Sequence, residues 1–72
     1  MNALGFATVA SMEHGVPVWS IFGHRKNARI VKARWDAWAL ARAAGWTLPE
    51  IGRAFNRDHS TILHGLRKRE NG

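Results

Sequence analysis

The chain has 72 residues and no cysteine, with 11 Lys and Arg against 5 Asp and Glu for a net charge of +6. A domain this short buries only about 60% of the surface its unfolded chain exposes, so one small core is the ceiling, and neither disulfides nor Cys-ligated zinc can support it. No run reaches the roughly 18 apolar residues of a membrane span, and the apolar start from Met1 to Met12 lacks the basic region of a secretion signal. A cytoplasmic, nucleoid-associated protein with no membrane contact is expected, and the basic surplus points to a polyanionic partner, nucleic acid first.

Residues 3–14 predict a helix with Leu4, Ala7, Val9 and Met12 apolar and Gly15 at its end. A second, short helix carries Val18, Trp19, Ile21 and Phe22, with Pro17 in its first turn and Gly23 as its stop. A basic stretch follows: Arg25, Lys26, Arg29, Lys32 and Arg34 occur with no acid between them, and such asymmetry marks an interaction surface. Residues 29–44 are Ala-rich and free of Gly and Pro, so they predict the longest helix, ended by Gly45. It has two apolar sides, one small (Ala33, Ala37, Leu40, Ala41, Ala44) and one large (Val31, Trp35, Trp38), which predicts a central place in the bundle. Thr47-Leu48-Pro49-Glu50 is a capping-box pattern opening a helix that runs to about Phe55. Asn56 and Arg57 form a tight turn, and Asp58 caps a last helix reaching about Arg69.

Two short helices joined by such a turn near a basic terminus describe a helix-turn-helix, spanning about 47–69, whose second helix presents its N-terminal residues to base edges in the major groove. On that helix Ile62, Gly65 and Leu66 fall on one side, and Ser60, Thr61, His64, Arg67 and Lys68 on the other. The polar side has donors and acceptors for bases and phosphates and no acid to repel DNA. The fold expected is all-α, about five helices in a single domain over 1–72, with a basic loop at about 24–34.

Residues 48–55, Leu-Pro-Glu-Ile-Gly-Arg-Ala-Phe, followed by residues 57–64, Arg-Asp-His-Ser-Thr-Ile-Leu-His, resemble the signature of the C-terminal DNA-binding domain of DnaA, the bacterial replication initiator. Upstream, Gly15-Val16-Pro17-Val18 and Ile21-Phe22-Gly23 resemble that domain's first segment, and residues 29–34 its basic loop. The resemblance implies binding of DnaA-box-like duplex DNA, with the helix-turn-helix in the major groove and the basic loop in the adjacent minor groove. Carried over, Arg57, Asp58, His59, Ser60 and Thr61 fall on the recognition motif, His64 and Lys68 support it at the backbone, and Leu48 joins the DNA-facing set. Asp58 is assigned to capping and to fixing neighbouring side chains, with contact to a cytosine amino group as the lesser alternative. Lys32 stands where the family commonly has a minor-groove Arg, and it cannot make the same planar contact. Asn56 replaces a Gly pair, so the turn is expected to be one residue shorter.

No phosphate-binding Gly-x-x-x-x-Gly-Lys-Ser/Thr loop occurs in these residues, so an initiator's ATPase is not expected of them. The Met1 start and the unbroken resemblance favour a complete small protein, expected as a monomer. Catalysis is not expected, because adjacent His59 and Ser60 point apart on a helix; neither a cofactor nor a metal is expected, because His59 and His64 share no helical face. The rival reading is a protein-interaction module with Trp19, Trp35 or Trp38 as an exposed anchor.

Overall fold

Each helix begins and ends where a residue can satisfy the backbone groups that a helix terminus leaves open. The computed structural model describes residues 2–71, with five helices: α1 (Ala3–His14), α2 (Val18–Phe22), α3 (Ala28–Ala43), α4 (Leu48–Phe55) and α5 (His59–Asn71). The Asn2 side chain accepts from the Gly5 N–H at 2.9 Å, and the Asn27 side chain accepts from those of Arg29 and Ile30 at 2.9 and 3.4 Å. The capping box is present: Thr47 Oγ1 accepts from the Glu50 N–H at 3.3 Å, and the Thr47 N–H donates to Glu50 Oε1 at 2.8 Å. Left-handed residues close three helices, Gly15, Gly45 and Asn56 with φ of 66°, 94° and 57°. In each case the next N–H reaches back five residues: Val16 to Ser11, Trp46 to Ala41 and Arg57 to Gly52, at 3.1, 3.1 and 2.7 Å.

Two boundaries differ from expectation. Asn27 caps α3, so the helix starts at Ala28 and the basic loop shrinks from 24–34 to 24–27; Arg29, Lys32 and Arg34 lie on α3. Pro17 is the N-cap of α2, with extended ψ of 144°, and not part of its first turn.

The α3 helix is central and touches all four others. Ala33, Ala37 and Ala41 are fully buried, as are Ala7 and Ala10 of α1, so small side chains let these two helices approach closely. Ile21, Ile51, Phe55, Ile62 and Trp38 complete the core. Phe22 stacks on Phe55 at 5.1 Å and Phe6 meets Trp46 edge-on at 5.2 Å, joining α2 to α4 and α1 to the start of the helix-turn-helix. Two glycines set how closely the helix-turn-helix packs. A Cβ on Gly52 would lie 2.5 Å from the Arg57 carbonyl oxygen, and one on Gly65 would lie 2.5 Å from Cζ3 of Trp38 and 2.8 Å from Cδ1 of Trp35. Trp38 is 2% exposed, which removes it as a partner anchor; Trp35 is half-buried, and Trp19 alone of the three candidates is largely exposed.

Candidate nucleic-acid interface

The capping box and the Asn56 turn aim the start of α5 outward, while Ile62 and Gly65 are buried and Leu66 half-buried beneath it. Ser60, Thr61, His64, Arg67 and Lys68 are all exposed on its outer side, and His59 is exposed in its first turn, in a groove with Pro49, Arg53 and Asp58. Asp58 immediately precedes α5. Its carboxylate accepts from the Ser60 hydroxyl and lies 3.5 Å from His59 Nδ1. The Ser60 hydroxyl first, then the His59 charge and the backbone N–H groups of His59 and Ser60, hold its pKa below the ordinary carboxylate value against a smaller opposing effect of desolvation. The negative end that α5 needs at its start is thus supplied from within the chain.

Thr61 and His64 share one groove, of about 500 Å³, with His24 and Lys26 of the loop; Trp35, Trp38 and Gly65 also line it. Two segments far apart in sequence therefore offer polar and cationic groups to one concave surface. Lys32 and Lys68 are brought together elsewhere, around Trp35 and Asp36. Leu48 is half-buried and lines a third groove with Leu63, Leu66 and Arg67. Arg25 and Arg29 are exposed, Arg25 in the loop and Arg29 in the first turn of α3.

Two arginines expected to face DNA are turned inward. Arg34 is 6% exposed; its Nε donates to the Ile21 carbonyl and its Nη2 to those of Ser20 and Arg25, each at 3.1 Å. Arg57 Nη1 donates to the Phe55 carbonyl at 3.1 Å, and Nη2 to that of Gly23. These acceptors include the last carbonyls of α2 and α4, which lack helical partners and carry partial negative charge. Burial lowers both pKa values, and the Arg57 charge lowers that of Arg34 further. Arg34 thus holds the loop rather than extending from it, and Arg57 ties the loop to the turn of the helix-turn-helix. A sequence signal for Arg34 existed: it stands at i of the i, i+3, i+4, i+7 set completed by Ala37, Trp38 and Ala41, all buried.

Sequence reasoning also missed Asp36, which joins three helices. Oδ2 lies 2.5 Å from His14 Nε2 of α1, and Oδ1 accepts from Arg69 Nε of α5 at 2.6 Å. Desolvation, the largest single influence, raises its pKa, but the Arg69 and His14 hydrogen bonds and charges together outweigh it and leave the carboxyl below its ordinary value. Glu13, His14 and Asp36 offer ligand atoms within 4.8 Å of one another, yet Arg69 occupies one Asp36 oxygen and repels a metal ion there.

The family described as the bacterial dnaA protein helix-turn-helix matches residues 7–68. The chain belongs to that family. Among its relatives are proteins named chromosomal replication initiator protein DnaA. Those of Rhodopseudomonas palustris strain BisB5 and Nitrobacter hamburgensis are each 39% identical over 64 residues, covering 86% of this chain and 14% of the relative. That of Xanthobacter autotrophicus is 40% identical over 62 residues, covering 83% and 12%. The chain thus spans about one seventh of the length of the curated relatives it matches. No solved structure matches it. Membership in a helix-turn-helix family of this kind implies DNA binding, and among the described residues no helix is long and apolar enough to cross a membrane.

Proposed function

We propose that the chain binds duplex DNA at DnaA-box-like sites, with the outer face of α5 in the major groove and loop 24–27 at the adjacent minor groove or the backbone. The observation that carries this reading is the shared groove: Lys26 from the loop and Thr61 and His64 from α5 open onto one surface. Thr61 and His59 lie at the head of the helix, where side chains reach base edges; a Thr offers both a hydroxyl and a methyl to contact them. Lys68 lies seven residues beyond Thr61, about 10 Å along the helix axis, and meets phosphate instead. Arg67, Arg29 and Lys32 add charge for the backbone, while Asp58 keeps His59 and Ser60 oriented. Arg34 and Arg57 act through the loop they hold.

Occupying such sites, the chain would compete with an initiator for them and so regulate replication initiation, or transcription where a site overlaps a promoter. The test is selection of bound duplexes from a random pool, followed by titration of the enriched sequence at two salt concentrations. With about 4 to 6 phosphate contacts the slope of log K against log salt should be about −4 to −5. Failure to enrich a common sequence, or binding indifferent to salt, overturns the reading.

A further inference from the structure

Arg25 differs from the other exposed Lys and Arg residues of the proposed DNA-facing set in being held at its side chain as well as its backbone. Its carbonyl accepts from Arg34 Nη2 at 3.1 Å, and its guanidinium carbon lies 5.4 Å from the centre of the Trp19 ring. The same Arg34 takes the carbonyls of Ser20 and Ile21, so the loop backbone at Arg25 is fixed against the end of α2. Trp19 stands on α2 and is 61% exposed, whereas its neighbours Ser20 and Ile21 are fully buried. A large ring left in water on so short a helix is not explained by packing; its contact with Arg25 gives it a use.

We infer that Trp19 and Arg34 are positioning residues for Arg25, holding its guanidinium ready at loop 24–27 for contact with duplex DNA. A free arginine on a loop loses both backbone and rotamer freedom when it engages a partner; here much of that loss is taken during folding. The contact with the ring costs no hydrogen-bonding capacity, because a cation–π interaction uses no N–H, and the five donors of the guanidinium remain available. A lysine could not be held in this way with the same planar group presented. The inference rests on the proposed role of the loop in DNA binding, and its test separates the two.

The test is a double-mutant cycle, read by fluorescence anisotropy on the selected duplex with the parent chain, Trp19→Ala, Arg25→Ala and the double variant. Trp19→Ala should weaken binding about two- to fivefold, Trp19→Phe should recover most of that loss, and Trp19→Ala should add nothing once Arg25 is Ala. Equal losses from Trp19→Ala in both backgrounds, or none in the parent, overturn the inference. Parental affinity in Arg25→Ala instead overturns the reading of the loop itself. A second readout needs no DNA: NMR of the free chain should find the Arg25 side-chain protons shifted upfield by the indole ring and released in Trp19→Ala, and their absence from the upfield region in the parent also overturns the inference. Arg34→Lys should diminish the same upfield shift where the variant folds, as followed by circular dichroism, and an unchanged shift in the folded variant removes Arg34 from the assignment; the Trp19 cycle decides its own half either way.

Discussion

Gly52→Ala adds a single methyl group, and the structure fixes where it goes. The new Cβ would lie 2.5 Å from the Arg57 carbonyl oxygen, so something must give by about 0.9 Å to reach the 3.4 Å at which Cβ contacts become ordinary. The obstructing atom is backbone, one residue before Asp58, and cannot rotate away. Relief requires the start of α5 to move, and with it the Arg57 N–H that donates to the Gly52 carbonyl at 2.7 Å. Alanine favours a helix interior over glycine by about 1 kcal/mol. Overpacking of a buried site costs about 1 to 3 kcal/mol, and weakening the turn hydrogen bond costs about another 1 kcal/mol. The net expectation is a destabilisation of about 2 kcal/mol, or roughly 8 to 16 °C in melting temperature for a domain of this size. Urea titration followed by circular dichroism measures it. DNA titration below the transition should also find weaker binding, because the displaced element is the recognition helix. A Gly52→Ala chain as stable as the parent and binding as tightly would show that α4 and α5 do not need this close approach.

Thr47→Ala should cost about 1 kcal/mol in denaturant titration, since it removes one half of the capping box; base preference in the folded variant should be unchanged. The lowered pKa of Asp36 makes its junction with His14 and Arg69 an acid-sensitive one: its stabilisation is fully present above the ordinary Asp pKa of about 3.9 and lost as pH falls through the lower folded value. Melting temperatures across that interval should fall less steeply in Asp36→Asn than in the parent, and identical slopes would refute the assignment. Thr61→Ala or His59→Ala should lose about 1 to 3 kcal/mol on the selected duplex and little on unrelated DNA, whereas Lys68→Ala should weaken both alike and flatten the salt slope by about one unit. Uniform losses from Thr61→Ala and His59→Ala would show that α5 does not read sequence.

Helix order, the capping box, the Asn56 turn and the two-sided pattern of α5 were legible because they are local: each depends on residues within a turn or two of one another. The two faces of α3 were legible for the same reason, as was its central place, except that Ala44, expected on the small face, is the exposed C-cap beyond the helix. Less legible were the partners of charged side chains. Arg34 and Arg57 look like members of a basic surface when charge is counted along the chain, but their acceptors are carbonyls at the ends of α2 and α4, revealed only once those ends are brought together. Asp36 is separated from His14 by 22 residues and from Arg69 by 33, distances over which periodicity carries no information. The loop boundary differs because charge along the chain hides Asn27 within a basic stretch, although its side chain is well suited to begin a helix and accepts from the Arg29 N–H.

Net charge therefore overstates what this surface can offer to DNA, and the structure divides it. Arg34 and Arg57 are engaged with backbone carbonyls, Arg69 with Asp36, and Arg42 donates to the Trp46 carbonyl at 2.9 Å at the end of α3. These four cations connect helices and loops, so neutralising them should act first on stability. Arg25, Lys26, Arg29, Lys32, Arg67 and Lys68 are exposed and belong to the proposed DNA-facing set, and the eleventh, Arg53 of α4, is exposed outside it. That division gives the salt slope a structural meaning, since each ionic contact contributes about 0.9 to it. A slope far steeper than this set and Arg53 can supply would require cations now engaged within the fold to turn to DNA on binding, Arg42 and Arg69 first and then the inward Arg34 and Arg57.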